Sequence, residues 1–148
     1  MCIRDRLREA TTRSGRRFAK PADGDEVAAV EVCEGGAVVA LASEKGRAIL
    51  FDADDVPVLA GPGKGVIGIR LAEDDRVVGA TLFGKDEKRA VLTLENSKGT
   101  TYTVTRRYDV VGRGGKGFEM IKRDRFVKTV PPEIVLLDLP ERSGGGGR

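Results

Sequence analysis

Val38-Val39-Ala40-Leu41-Ala42-Ser43-Glu44-Lys45-Gly46 is answered further along by Val91-Leu92-Thr93-Leu94-Glu95-Asn96-Ser97-Lys98-Gly99. Each stretch reads as an apolar strand running into a Lys-Gly turn, and the two turn lysines lie 53 residues apart. Gly63-Lys64-Gly65-Val66 is answered likewise by Gly115-Lys116-Gly117-Phe118, at a spacing of 52. A repeat of this length, made of several short strands, is the signature of a radial or stacked β array. One unit cannot bury its own apolar face, so neighbouring units make the core between them and leave a rim. The basic Gly-Lys-Gly turns are expected on that rim.

Working outward from the repeat, one complete unit spans residues 34–83, with strands near Ala37–Ala42, Arg47–Phe51, Val66–Leu71 and Val77–Phe83. A second spans 84–139, with strands near Ala90–Glu95, Thr100–Thr105, Phe118–Lys122 and Phe126–Val130. Glu133–Leu139 follows Pro131-Pro132 and is a candidate closing strand, because proline cannot donate to a ladder and marks a bend or an edge. The acidic loop Asp23-Gly24-Asp25-Glu26 recurs as Glu73-Asp74-Asp75-Arg76, so a partial unit is expected over 12–33, including a strand over Val27–Cys33. Residues 140–148 end in a Gly-rich tail expected to be flexible. Residues 1–11 are expected to be frayed or non-native. Met1-Cys2-Ile3-Arg4-Asp5-Arg6 resembles translated sequencing adaptor, in which case the true protein continues upstream. The architecture predicted is all-β: about two four-stranded blades plus a partial blade, propeller-like, and part of a larger array.

Composition agrees with that architecture. Twenty glycines in 148 residues, few aromatics and no Trp favour short strands and tight turns over long helices. A chain of this length can bury roughly 70% of its unfolded surface, enough for a core. Net charge is only +3, yet residues 21–90 hold fourteen acids against eight bases, and residues 98–128 hold nine bases against three acids. A basic surface concentrated in the second half points to a polyanionic partner. Two cysteines without C-x-x-C spacing, and no His, argue against zinc or a disulfide framework and fit a reduced, cytoplasmic chain. Neither a secretory segment nor an apolar run of membrane-spanning length is present in the sequence, so no membrane partner is expected.

Gly114-Gly115-Lys116-Gly117 has a physical reason to hold phosphate. Glycines let the backbone turn at positive φ and bring N–H groups close to an anion, and Lys116 and Arg113 add charge beside them. Arg106, Arg107, Lys122 and Arg123 flank this loop. Gly63, Lys64 and Gly65 occupy the equivalent turn one unit earlier, and Arg47 is a further rim candidate. Contacts of this kind position a duplex without reading its sequence and weaken steeply with salt. The plainer alternative is that the glycines make hairpin loops and the cations keep them solvated.

Gly112-x-Gly114-x-x-Gly117 satisfies a dinucleotide fingerprint formally, but a strand rather than a helix is expected after it. None of the three Gly-Lys pairs is followed by Ser or Thr, since Gly65 follows Lys64, Asp86 follows Lys85 and Gly117 follows Lys116, so no ATP-binding P-loop is present. The carboxylates Asp52, Asp54, Asp55, Glu73, Asp74 and Asp75 read as loop acids recurring with the repeat, and catalysis has little support without His. No catalytic or metal-ligating residue is assigned.

Asp23-Gly24-Asp25-Glu26-Val27, the Glu44-Lys45-Gly46-Arg47 turn, Gly65-Val66-Ile67-Gly68-Ile69-Arg70-Leu71 and Asp75-Arg76-Val77-Val78 occur in fixed order. That order resembles the blades of the C-terminal domain of the A subunit of type IIA DNA topoisomerases, gyrase and topoisomerase IV. Val111-Gly112-Arg113-Gly114-Gly115-Lys116-Gly117 also resembles the gyrase box, Gln-Arg-Arg-Gly-Gly-Lys-Gly, matching five of its seven positions. The resemblance implies a β-pinwheel whose blades exchange strands and whose basic rim binds and bends duplex DNA for ATP-dependent strand passage by the complete enzyme. The partners it implies are double-stranded DNA, a second copy of the A subunit, and the ATPase B subunit, the last two through regions absent here. A location with the nucleoid would follow. ATP and magnesium would serve the complete enzyme, and no cofactor is expected in this chain. The box lies in the last unit rather than the first, and the family carries more blades than this chain offers. Both departures fit a degenerate topoisomerase IV-like domain or a C-terminal fragment. Two alternatives stand beside this reading: a free-standing propeller-like module for an acidic protein partner, and a small hydrolase using the loop carboxylates.

Overall fold

Apolar residues on both sides of one strand pair organise the molecule. The computed structural model describes residues 2, 4–5, 14–15, 17–32, 35–59, 62–87 and 90–131. It is all-β apart from one 3-10 turn, Ala53–Asp55. The strands are β1 (Arg4–Asp5), β2 (Ala37–Ser43), β3 (Arg47–Asp52), β4 (Val58–Leu59), β5 (Val77–Gly84), β6 (Ala90–Asn96), β7 (Thr101–Thr105), β8 (Phe118–Glu119) and β9 (Phe126–Val130). They form a four-stranded sheet in the order β5-β2-β3-β8, a three-stranded sheet in the order β7-β6-β9, and the pair β1-β4.

Alternation decides the layers. Val38, Ala40 and Ala42 of β2, with Ala48 and Leu50 of β3, pack against Leu92, Leu94, Val104 and Phe126 of the second sheet. Leu41, Ile49 and Phe51 point the other way and pack with Val56 and Ile69. The first sheet is therefore apolar on both faces, which is why β2 reads as a nearly unbroken hydrophobic run. β6 instead alternates Leu92-Thr93-Leu94-Glu95, burying its leucines between the sheets. Phe126 meets Tyr102 edge to face at a centroid separation of 5.7 Å, closing that core.

Two hairpins carry the repeat. β2 and β3 turn at Gly46 (φ +84°), and β6 and β7 turn at Gly99 (φ +79°). Each turn is tied down by an aspartate beginning an Asp-Arg pair. Asp75 Oδ1 accepts from the Lys45 and Arg76 amides. Asp124 accepts from the Ser97 hydroxyl at 2.6 Å, the Asn96 side-chain amide at 2.9 Å and the Arg125 amide. The Ser97 hydroxyl first, and then the Arg125 amide, bond to the ionised form and hold the Asp124 carboxyl below the ordinary aspartate range. The recurring acids at these two places are turn staples.

Four sequence expectations change. The second unit gives up a strand: β8 pairs with β3, Phe118 opposite Ala48 and Glu119 opposite Arg47, so among the described residues the second sheet has three strands. Val66–Leu71 is not a strand. Gly68 is buried so closely against Cys2 Sγ and Leu41 that a Cβ would lie within 2.7 Å of either, and the chain bends there. Val27–Val32 forms no strand: among the described residues no sheet edge reaches it, and Val30 and Val32 stand 71% and 91% exposed. Of the partial unit, only Ala19 makes a bridge among the described residues, to Gly63. The N-terminal residues expected to fray are paired where they are described: β1 runs parallel to β4, and Cys2 exchanges two amide bonds with Val66 at 2.7 and 2.8 Å. Burial pushes the Cys2 thiol up. The candidate strand Glu133–Leu139, the tail at 140–148 and residues 6–13 lie outside the described residues.

Candidate nucleic-acid interface

The box-like run is a loop laid across the first unit. Val110 bridges Leu50 in parallel, and the Val111 amide donates to the Leu50 carbonyl at 2.8 Å. The Gly114 amide donates to the Gly68 carbonyl at 2.7 Å, and the Arg70 amide donates back to the Gly115 carbonyl at 2.8 Å. Phe118 then joins β3, with Tyr108 stacked on its ring at 4.1 Å. The loop is thus anchored at both ends and in its middle.

Two positive-φ glycines make this course possible. Gly114 sits at φ +79° and Gly117 at φ +66°. At Gly117 a Cβ would fall 2.1 Å from the Ala48 carbonyl oxygen, so only glycine lets the loop approach β3. One expectation is corrected here. The Gly114 N–H faces Gly68 rather than an anion, because the loop uses it to bind the neighbouring chain segment.

Two of the expected contact cations likewise have internal partners. The Arg47 guanidinium donates through Nε to the Lys116 carbonyl at 2.6 Å and through Nη2 to the Gly117 carbonyl at 2.8 Å. Arg113 donates through Nε to the Asp55 carbonyl at 2.8 Å and through Nη1 to the Ile67 carbonyl at 3.2 Å. Both side chains brace the loop, and their charge stays beside it.

The remaining cations are different. Lys64, Arg106, Arg107, Lys116, Lys122 and Arg123 are all exposed, and no protein side-chain bond engages their charged heads among the described residues. The Lys116 side chain is exposed, while its own backbone carbonyl is held by Arg47. Arg106 and Arg107 occupy the turn after β7, where the Arg107 amide donates to the Thr105 hydroxyl. Lys122 and Arg123 line an open groove of about 320 Å³ with Lys98, Thr100 and Tyr102. Lys64 lies between Gly63, whose carbonyl accepts from the Lys20 amide, and Gly65 at φ +75°. Reasoning from sequence missed Lys98 in this groove and Asp124 beneath it. The Asp-Arg pair shared by Asp75-Arg76 and Asp124-Arg125 was the available signal for Asp124.

Salt bridges elsewhere neutralise other bases: Arg76 and Arg125 both reach Glu44, Lys85 reaches Asp52, and Lys128 reaches Glu95. Among the described residues there is no group of three or more potential metal ligands. Among them, too, no helix is long and apolar enough to cross a membrane.

The chain has similar sequences and folds among known proteins. Residues 37–83 match the family described as DNA gyrase C-terminal domain, beta-propeller. The chain is 36% identical over 105 residues to the DNA gyrase A subunit of Helicobacter pylori strain J99, covering 70% of this chain and 13% of that protein. It is 33% identical over 118 residues to the DNA gyrase A subunit of Escherichia coli K12, covering 80% and 13% respectively. It therefore spans about an eighth of the length of these relatives. The fold is similar to a crystal structure of the C-terminal domain of DNA topoisomerase IV, with a TM-score of 0.57 and 22% identity, over 65% of this chain and 31% of that one.

Proposed function

We propose, from the match of residues 37–83 to the DNA gyrase C-terminal domain family, that this chain is the part of a type IIA topoisomerase A subunit that holds and bends duplex DNA. Its role is noncatalytic. It presents a DNA segment for the strand passage that the complete enzyme drives with ATP and magnesium, in company with a second copy of the A subunit, and with the ATPase B subunit. The supporting observation is the braced loop carrying an exposed, uncommitted charge. Arg47 and Arg113 fix the backbone through carbonyls, and Lys116 is left exposed. In this reading Arg47 and Arg113 position the loop, while Lys116, Lys64, Arg106, Arg107, Lys122 and Arg123 meet phosphates.

A rim of this kind attracts the backbone of any duplex by counterion release. Duplex affinity should fall steeply between low and moderate salt. Lys116→Ala should weaken binding about equally for unrelated sequences and lower the salt slope by about one. A fluorescence-anisotropy titration across salt concentrations reads both. An affinity indifferent to salt, or a Lys116→Ala chain with an unchanged slope, would overturn the assignment.

A further inference from the structure

Lys20, Arg70 and Lys122 hold the same place in the repeat, at spacings of 50 and 52 residues. The backbone supports the alignment of the first two: Gly24 and Asp74, each four residues further on, both take positive φ, +82° and +58°. Each of these two bases docks on a Gly-Lys-Gly corner. The Lys20 amide donates to the Gly63 carbonyl at 3.1 Å, and the Arg70 amide donates to the Gly115 carbonyl at 2.8 Å. Those carbonyls belong to the peptide groups that lead into Lys64 and Lys116. Each corner lysine therefore has a second base beside it, contributed by the unit before.

Like charges held opposite one another destabilise a pairing unless something of opposite sign lies between them. Elsewhere the molecule answers its bases with acids: Arg76 and Arg125 share Glu44, Lys85 takes Asp52, and Lys128 takes Glu95. The acids that follow Arg70 are turned to another purpose. Asp75 Oδ1 accepts from the Lys45 and Arg76 amides, and the Glu73 carbonyl accepts from Lys45 Nζ. Lys20, Lys64, Arg70 and Lys116 are all exposed, and no protein group engages their charged heads among the described residues. Two unanswered cations rooted at one peptide group suit a single shared anion.

We propose that each corner grips one backbone phosphate of duplex DNA between two bases from successive units, Lys64 with Lys20 and Lys116 with Arg70. This clamp rests on the duplex-holding role proposed above, and it makes Lys20 and Arg70 phosphate contacts in their own right. Lysine at one corner and arginine at the other serve alike, because a phosphate accepts from either. The phosphate lies over the seam where two units meet.

Anisotropy titrations of a labelled, mixed-sequence duplex across salt concentrations test the clamp. Arg70→Gln should weaken binding and lower the salt slope by about one, as expected for Lys116→Ala. The double variant should also lower the slope by about one rather than two, since both bases hold the same phosphate. Its loss of affinity should fall short of the product of the single losses by roughly threefold or more. Arg70→Gln with Lys64→Ala, taken from different corners, should instead lose that product to within about twofold. Arg70→Lys should keep the parental slope, which a purely structural role for the arginine would not explain. An Arg70→Gln chain with the parental slope overturns the clamp, while the duplex role stands if Lys116→Ala still lowers it. A double variant that lowers the slope by the sum of the singles also overturns it, the bases then holding separate phosphates. Binding that ignores salt altogether overturns the clamp and the duplex role together.

Discussion

Gly117 shows how one backbone angle can serve packing rather than ligand binding. A positive φ and a Cβ position only 2.1 Å from the Ala48 carbonyl oxygen leave no room for any side chain. Gly117→Ala should cost about 2–4 kcal/mol by urea denaturation, through strain and forced movement of β8. Gly112→Ala, five residues earlier and with open space around it, should stay within about 0.5 kcal/mol of the parent. The Gly-Lys-Gly spacing was legible in the sequence, but its purpose was not. A phosphate cradle and a close backbone crossing both require positive φ, and only the position of Ala48 tells them apart. The same holds for Arg47, whose guanidinium direction depends on carbonyls about seventy residues away in sequence.

Strands were legible wherever the sequence alternates against a partner that the repeat itself supplies, as over Ala37–Ser43, Val77–Gly84 and Ala90–Asn96. Val27–Val32 alternates equally well but finds no edge among the described residues, and Val66–Leu71 is bent by the burial of Gly68. Alternation records a preference for extended chain, and pairing requires a neighbour. The β6–β7 hairpin adds a device that depends on pH. The Asp124 carboxyl is held low by the Ser97 hydroxyl and the Arg125 amide, so its contribution is present above the ordinary aspartate range and lost as pH falls through the depressed value. Ser97→Ala should move the Asp124 titration upward, toward the ordinary aspartate range, in carboxyl carbon NMR. An unmoved titration would mean that Ser97 does not set it.

The two sheets form one body because the second unit sends β8 and the segment behind it back to the first. Gly46 receives that segment: its carbonyl accepts from the Met120 and Ile121 amides at 2.8 and 3.3 Å. A Cβ at Gly46 would lie 2.4 Å from Ile121 Cγ1. Gly46→Ala should lower Tm by roughly 5 °C or more. It should also split one cooperative transition into two, seen as non-coincident melts by fluorescence and far-UV circular dichroism. The repeat was visible in the sequence, and with it the all-β class and the union of units through a shared core. The direction of strand exchange was hidden, because Phe118-Glu119 is too short to announce its partner. That exchange also orders events at the ribosome. While the nascent chain grows past Asp52, the outer flank of β3 has nothing to bond, and its fourth strand is translated only after β5, β6 and β7. Synthesis must run through Glu119 before the earlier blade can be finished, so a stalled or prematurely released polypeptide would carry a bare, hydrogen-bonding flank into the cell.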